Sequence, residues 1–133
     1  MASIVTEIVI DVAPEQVWAV VSDFAGGPLR MAPGLVTASA STGEGTREVT
    51  FTGGTVVRER LVTLDHEIRR FVYSVYDGST PPVHDNAVIE VSAHGDGAAR
   101  VVWSRDLLPE QLAGPYTATM QQGLSLFKKT LEG

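Results

Sequence analysis

The strongest constraint on the fold is the order of two apolar periodicities along the chain. From Leu35 to Leu107 the apolar residues alternate with a period of two, in six segments separated by turn-forming residues. After Pro109-Glu110 the period changes, and Leu112, Tyr116, Met120, Leu124, Phe127 and Leu131 recur every three or four residues as one stripe of a helix. About 22 residues of helix span roughly 33 Å, the width of a small domain. A sheet with one apolar face has to cover it, and this helix is the only element long enough to do so. The prediction is an α+β domain in which a curved antiparallel sheet wraps one C-terminal helix. Such a sheet does not close flush on a single helix, and the remaining space forms a cavity.

The segments themselves are bounded by local chemistry. Ile4, Thr6, Ile8, Ile10 and Val12 alternate with Val5, Glu7, Val9 and Asp11, which reads as a first strand. Ala13-Pro14-Glu15 opens a short helix carrying Val17, Trp18 and Val21. Asp23 is a candidate cap for a second short helix with Phe24 and Leu29, ended by Pro33-Gly34. The later strands run from Leu35 to Ser41, Arg47 to Thr52, Thr55 to Leu64, Ile68 to Tyr76, Asp85 to Ala93 and Arg100 to Leu107. Gly43-Glu44-Gly45, Gly53-Gly54 and Gly95-Asp96-Gly97 between them are hairpin signals, because glycine adopts positive φ without steric cost. The sheet therefore has seven strands, with two short helices between the first and the second. With 133 residues and no linker or repeat, residues 1–133 form one domain.

Composition narrows the partners. A net charge of −6 with only 10 basic residues disfavours nucleic acid and anionic membranes, both of which need clustered Lys and Arg. There are no cysteines, so disulfides and thiolate metal sites are excluded. No segment approaches a membrane span and no signal peptide is evident, which makes the cytoplasm the expected location. No HExxH, GxSxG or phosphate-loop pattern occurs, so neither a metal nor another cofactor is expected.

With these elements in place the chain resembles the START/Bet v 1-like superfamily, and within it the bacterial polyketide cyclase/dehydrase-type branch. The resemblance is carried by Val12-Ala13-Pro14-Glu15-Gln16-Val17-Trp18, Ser22-Asp23-Phe24, Ala32-Pro33-Gly34 and Gly43-Glu44-Gly45-Thr46-Arg47. It continues through Arg58-Glu59-Arg60-Leu61, Asp65, Arg69-Arg70-Phe71-Val72-Tyr73-Ser74, Val102-Trp103 and Pro109. Two positions depart from the pattern: Met31 stands where many relatives carry Trp, and Asn86 where many carry Tyr. The resemblance implies a helix-grip fold with a deep ligand pocket. It does not imply one reaction, since relatives include aromatase/cyclases, lipid carriers and hormone receptors.

Strand parity nominates the residues of the site. Glu59 shares a face with Val57 and Leu61, which places a carboxylate on the inner wall. It reads either as a general acid or base or as the buried partner of Arg47, which shares a face with Val49 and Phe51. Arg105 lies on the face of Val101, Trp103 and Leu107, either projecting into the pocket to hold a ligand oxygen or paired with an acid. Asp85 shares parity with Ala87, Ile89 and Val91 and is expected at the cavity mouth. His84, adjacent to it, points the other way, as a rim proton shuttle or a surface residue. Glu59, Arg105, Asp85 and His84 are the catalytic candidates. Arg47, Phe51, Tyr73, Trp103, Tyr116 and Met120 are the ligand-binding candidates. The expected function is to bind a small hydrophobic or polyketide-like molecule and to promote its cyclisation or dehydration by acid–base catalysis. A non-catalytic carrier of an apolar metabolite is the alternative, and a homodimer is an open possibility.

Overall fold

The computed structural model describes residues 1–133. Strand β1 (Ala2–Ile10) is followed by helices α1 (Pro14–Val21) and α2 (Gly27–Met31). Six strands come next: β2 (Val36–Gly43), β3 (Thr46–Phe51), β4 (Val56–Asp65), β5 (Arg70–Gly78), β6 (His84–His94) and β7 (Ala98–Leu108). A single 3₁₀ turn at Glu110–Leu112 leads into α3 (Ala113–Glu132). All neighbouring strands are antiparallel, in the order β1-β7-β6-β5-β4-β3-β2. This is the helix-grip arrangement expected from the sequence. The first two strands are the two sheet edges, so α1 and α2 carry the chain from one edge to the other.

Two bulges bend the middle of the sheet. Between β4 and β5 the register skips Val62 on one strand and Tyr76 on the other. Each extra residue points outward, Val62 56% and Tyr76 37% exposed, and an unpaired residue increases local twist and curvature. At the tight turn after β3, Gly53 and Gly54 adopt φ of 95° and 92°, a conformation that would strain any residue with a Cβ.

The concave face is covered by α3. Toward its C-terminal end Leu124 and Phe127 are buried against Ile10, Val17, Phe71, Ile89 and Val101, the centre of the core. Its last turn is tied to β1: Lys128 Nζ donates to the Val9 carbonyl at 2.8 Å and the Asp11 N–H donates to Glu132 at 2.8 Å. Leu112 in the preceding turn and Pro115, Tyr116 and Thr119 in the N-terminal half line a cavity instead of filling it. Asp23 does not cap α2 from the cap position, which is Gly26. Its Oδ1 accepts the Gly26 N–H at 3.1 Å and its Oδ2 pairs with Arg30 at 3.0 Å, so it braces that helix from the preceding turn. No helix is long and apolar enough to cross a membrane.

Candidate functional site

The space between the sheet and the N-terminal half of α3 is a cavity of about 510 Å³. Its walls come from β2 through β7, α2 and α3, and they are mainly apolar: Met31, Val36, Val49, Phe51, Val57 and Ile89 among others. Among the lining residues Thr52, Thr55 and Thr80 are exposed to solvent.

Five polar residues cross this apolar wall in one chain of contacts. Arg47 and Glu59 face each other as direct register partners on β3 and β4, and the Arg47 Nε donates to Glu59 Oε1 at 2.8 Å. Arg47 Nη1 also donates to the Phe24 carbonyl at 2.8 Å, and its guanidinium carbon lies 4.5 Å over the Phe24 ring and 5.2 Å over that of Tyr73. Tyr73, on β5, is buried between this pair and a second one. On its other side the Arg105 guanidinium carbon lies 5.6 Å over the Tyr73 ring and 4.7 Å over that of Tyr116. Arg105 Nε and Nη2 donate to Asp85 Oδ1 and Oδ2, each at 2.8 Å. Asp85 Oδ2 also accepts the Val75 N–H at 2.8 Å.

The register explains the assembly. Tyr73 pairs with Ala87 and Ala87 pairs with Arg105, so Tyr73 and Arg105 flank a completely buried alanine on the middle strand and meet above it. Trp103 Nε1 donates to the Tyr73 hydroxyl at 3.1 Å, and Trp103 packs against α3 at Gly123. A Cβ at Gly123 would sit 3.3 Å from Trp103 Cζ3, so the glycine gives the indole its place in the wall.

Burial sets the protonation of these groups. It raises the Tyr73 hydroxyl well above the ordinary phenol range, outweighing the downward pull of Arg105. Burial raises Tyr116 as well, again against Arg105. For Arg105 burial alone would lower the pKa, but the hydrogen-bonded Asp85 carboxylate outweighs it and holds the guanidinium protonated. Both phenols are neutral hydrogen-bond donors at physiological pH.

The expected residues fall as follows. Glu59, Arg47, Arg105, Tyr73, Trp103, Tyr116, Met120 and Phe51 all line the cavity. Glu59 is not an unpaired carboxyl, because Arg47 holds one of its oxygens. Asp85 is not at the cavity mouth: its side chain is wholly enclosed behind Arg105, which interposes itself between the carboxylate and the hollow. His84 is exposed at the start of β6 and outside the lining, because its odd-even phase opposite to Asp85 turns it to the convex face. It has no place in the site. Trp18 belongs to the core, its Nε1 donating to His66 Nδ1 at 3.0 Å. The sequence reading missed Ala87, Gly123 and the α2 residues Pro28 and Met31. A small residue within an otherwise β-branched inner face was the available signal for Ala87. No group of three His, Cys, Asp or Glu side chains comes together in a way that would hold a metal ion.

With this geometry established, the sequence matches the family described as polyketide cyclase/dehydrase and lipid transport across residues 1–132. The chain belongs to that family. Solved structures share the fold of this family member. A Bacillus thuringiensis protein of uncharacterised function superposes with a TM-score of 0.90 at 20% identity, over 99% of this chain and 100% of its own. The protein XoxI of Bacillus cereus gives 0.88 at 23% identity, over 100% and 99%. The di-domain ARO/CYC protein BexL from the BE-7585A biosynthetic pathway gives 0.80 at 18% identity, over 99% of this chain and 47% of that one. No functionally curated protein was found to match the sequence.

Proposed function

We propose that the protein binds a small, largely apolar, polyketide-like molecule in this cavity and promotes its cyclisation and dehydration by proton transfer. The observation that carries the reading is the unspent oxygen of Glu59. Oε1 is held by Arg47, while Oε2 makes no hydrogen bond within the protein. No wholly buried polar side-chain atom lacks a partner, so Oε2 opens on the cavity that Glu59 lines. It is a carboxylate held through one oxygen by its arginine and aimed by the other at an apolar hollow.

The chemistry needs little more. The cavity folds a flexible polyketone so that a methylene between two carbonyls approaches a third carbonyl, replacing a search through many conformers. Glu59 removes a proton from that methylene, and the enolate oxygen forms against the neutral Tyr73 hydroxyl. The enolate carbon bonds to the third carbonyl carbon, and the resulting alkoxide takes the proton back from Glu59. A second deprotonation by Glu59 at the new ring junction expels hydroxide, which leaves as water with that proton. One water is lost per ring and no oxidant is involved.

The test uses a linear methyl-terminated tetraketone, which closes to a dihydroxy-methyl-acetophenone with loss of one water. Chromatography follows the aromatic product, and tryptophan fluorescence follows binding through Trp103. The protein accelerates closure over buffer, and Glu59→Gln removes at least about 90% of the acceleration while binding persists, within the range for losing one general base. A carrier reading draws on one specific fact, that all four buried charges are already in pairs. Recovery of bound, unchanged tetraketone with no acceleration establishes the carrier and ends the catalytic proposal.

A further inference from the structure

Arg105 is enclosed on all sides but one. Asp85 takes its Nε and one Nη2 hydrogen from behind, and that carboxylate is itself fixed by the Val75 N–H. Tyr73 on the sheet and Tyr116 on the helix both cover the guanidinium with their rings. Side-on pairing with Asp85 spends two of the five guanidinium hydrogens. The remaining edge carries Nη1 and the second Nη2 hydrogen, and Nη1 donates to nothing in the protein. Since no wholly buried side-chain nitrogen lacks a partner, that edge opens on the cavity. Two parallel N–H groups in one plane fit the two oxygens of one planar group.

The neighbouring groups point the same way. The Tyr116 hydroxyl has no partner within the protein, and the Tyr73 hydroxyl accepts from Trp103 and keeps its own hydrogen to give. Against these donors the cavity offers one charged acceptor, Glu59 Oε2. The wall around Arg105 therefore presents no charged acceptor besides the Asp85 already paired behind it, and its complement is rich in acceptors. We infer that the ligand carries a carboxylate, which seats on the free edge of Arg105 between Tyr73 and Tyr116 while the apolar body lies against Trp103, Met120 and Ile89. This deepens the proposed function and rests only on its first half, that the cavity is the ligand site. The substrate is then a free acid and not an ester. The two buried arginines and two buried carboxylates sum to zero charge, so directed N–H bonds hold the anion, not a net positive field. Binding is accordingly insensitive to salt, unlike any weak anion binding at the surface.

Calorimetric titration of naphthoic acid against its methyl ester at neutral pH tests the assignment. The acid binds at least about tenfold more tightly than the ester, as a bidentate charged pair requires. The preference is unchanged between about 0.05 and about 0.5 M salt. Arg105→Lys retains the charge, loses the fork and lowers acid affinity much more than ester affinity, removing most of that preference. Should that variant fail to fold by circular dichroism, Tyr116→Phe carries the test, lowering acid affinity about threefold and leaving the ester alone. Equal or tighter ester binding, failure of both probes to bind, or an acid preference that survives in a folded Arg105→Lys overturns the inference. Tetraketone closure without an acid preference sinks this assignment alone. An acid preference without closure sinks only catalysis.

Discussion

The Arg47–Glu59 pair decides between a wall that is merely structural and one that also holds a base, and its strength follows from the geometry. Both side chains are more than nine-tenths enclosed, with 2.8 Å between Nε and Oε1. Removing one partner of such a pair leaves the other charged in an apolar surrounding, a loss of about 3–5 kcal/mol. Arg47→Met also gives up the bond to the Phe24 carbonyl, about 1 kcal/mol, and the stacking over Phe24, about another 0.5–1 kcal/mol. The sum, about 4.5–7 kcal/mol, is a large part of the total stability of a domain this size. Arg47→Met/Glu59→Leu removes both charges, retains apolar volume and loses far less, about 1–2 kcal/mol, chiefly the Phe24 contacts. Urea unfolding of the four proteins, read as a double-mutant cycle with unchanged m, gives a coupling of about 6–10 kcal/mol, the two single losses less that of the double variant. A single-variant loss below about 1 kcal/mol would refute the reasoning, because the carboxylate would then be free of Arg47 in solution.

Gly78 has φ of 137°, and a Cβ there would meet the Val56 carbonyl oxygen at 2.3 Å. Gly78→Ala is therefore expected to lose about 2–4 kcal/mol and lower the thermal midpoint, and a change below about 0.5 kcal/mol contradicts the close approach. Because burial raises Tyr73 and Tyr116, the folded state keeps both phenols protonated while the unfolded chain ionises them near pH 10. Their contribution is fully present below that value and declines as pH rises from there toward the folded pKa. Tyr73→Phe flattens this alkaline loss, and phenolate absorbance that rises for all three tyrosines near pH 10 in the folded protein counts against the burial. His66→Leu removes the acceptor of the Trp18 N–H, for an expected loss of about 1–2 kcal/mol and a shift in Trp18 fluorescence. An unchanged spectrum would mean the bond is not made.

The fold was legible because it rests on periodicity. The odd-even phase of Ile4, Thr6 and Ile10 predicted which side of β1 is buried, and the stripe from Leu112 to Leu131 predicted the face of α3 that meets the sheet. The Arg47–Glu59 pair was legible for the same reason: equal phase on two strands joined by Gly53-Gly54 makes them register partners. Asp85 and Arg105 share the inner face too, but Asp85 lies opposite Leu107 and Arg105 opposite Ala87. Their bond is diagonal, and diagonal reach depends on rotamers that phase does not encode. Bulges also break the parity rule. Val57, Glu59 and Leu61 point inward, then the extra Val62 shifts the phase and brings Leu64 into contact with the core. The bond between Trp18 and His66 joins a helix to a distant turn and left no trace in either local pattern.

The hollow owes its position to what several residues lack. Ala87 leaves room above the middle of the sheet where Tyr73 and Arg105 meet, and Gly123 leaves room on the helix for Trp103. Pro115 and Thr119 extend less far toward the sheet than Leu124 and Phe127 do about one to three turns later, so α3 fills the groove at one end only. Into the wall of that unfilled end the sequence places two arginine–carboxylate pairs. Apolar side chains of similar volume at such positions are often neutral or stabilising by about 1–4 kcal/mol, so stability does not account for both pairs facing one cavity. The ligand proposed above, with oxygens of its own, would account for them. It would meet one open carboxylate oxygen and one open guanidinium edge, each already fixed by its partner, and neither would have to reorganise to receive it.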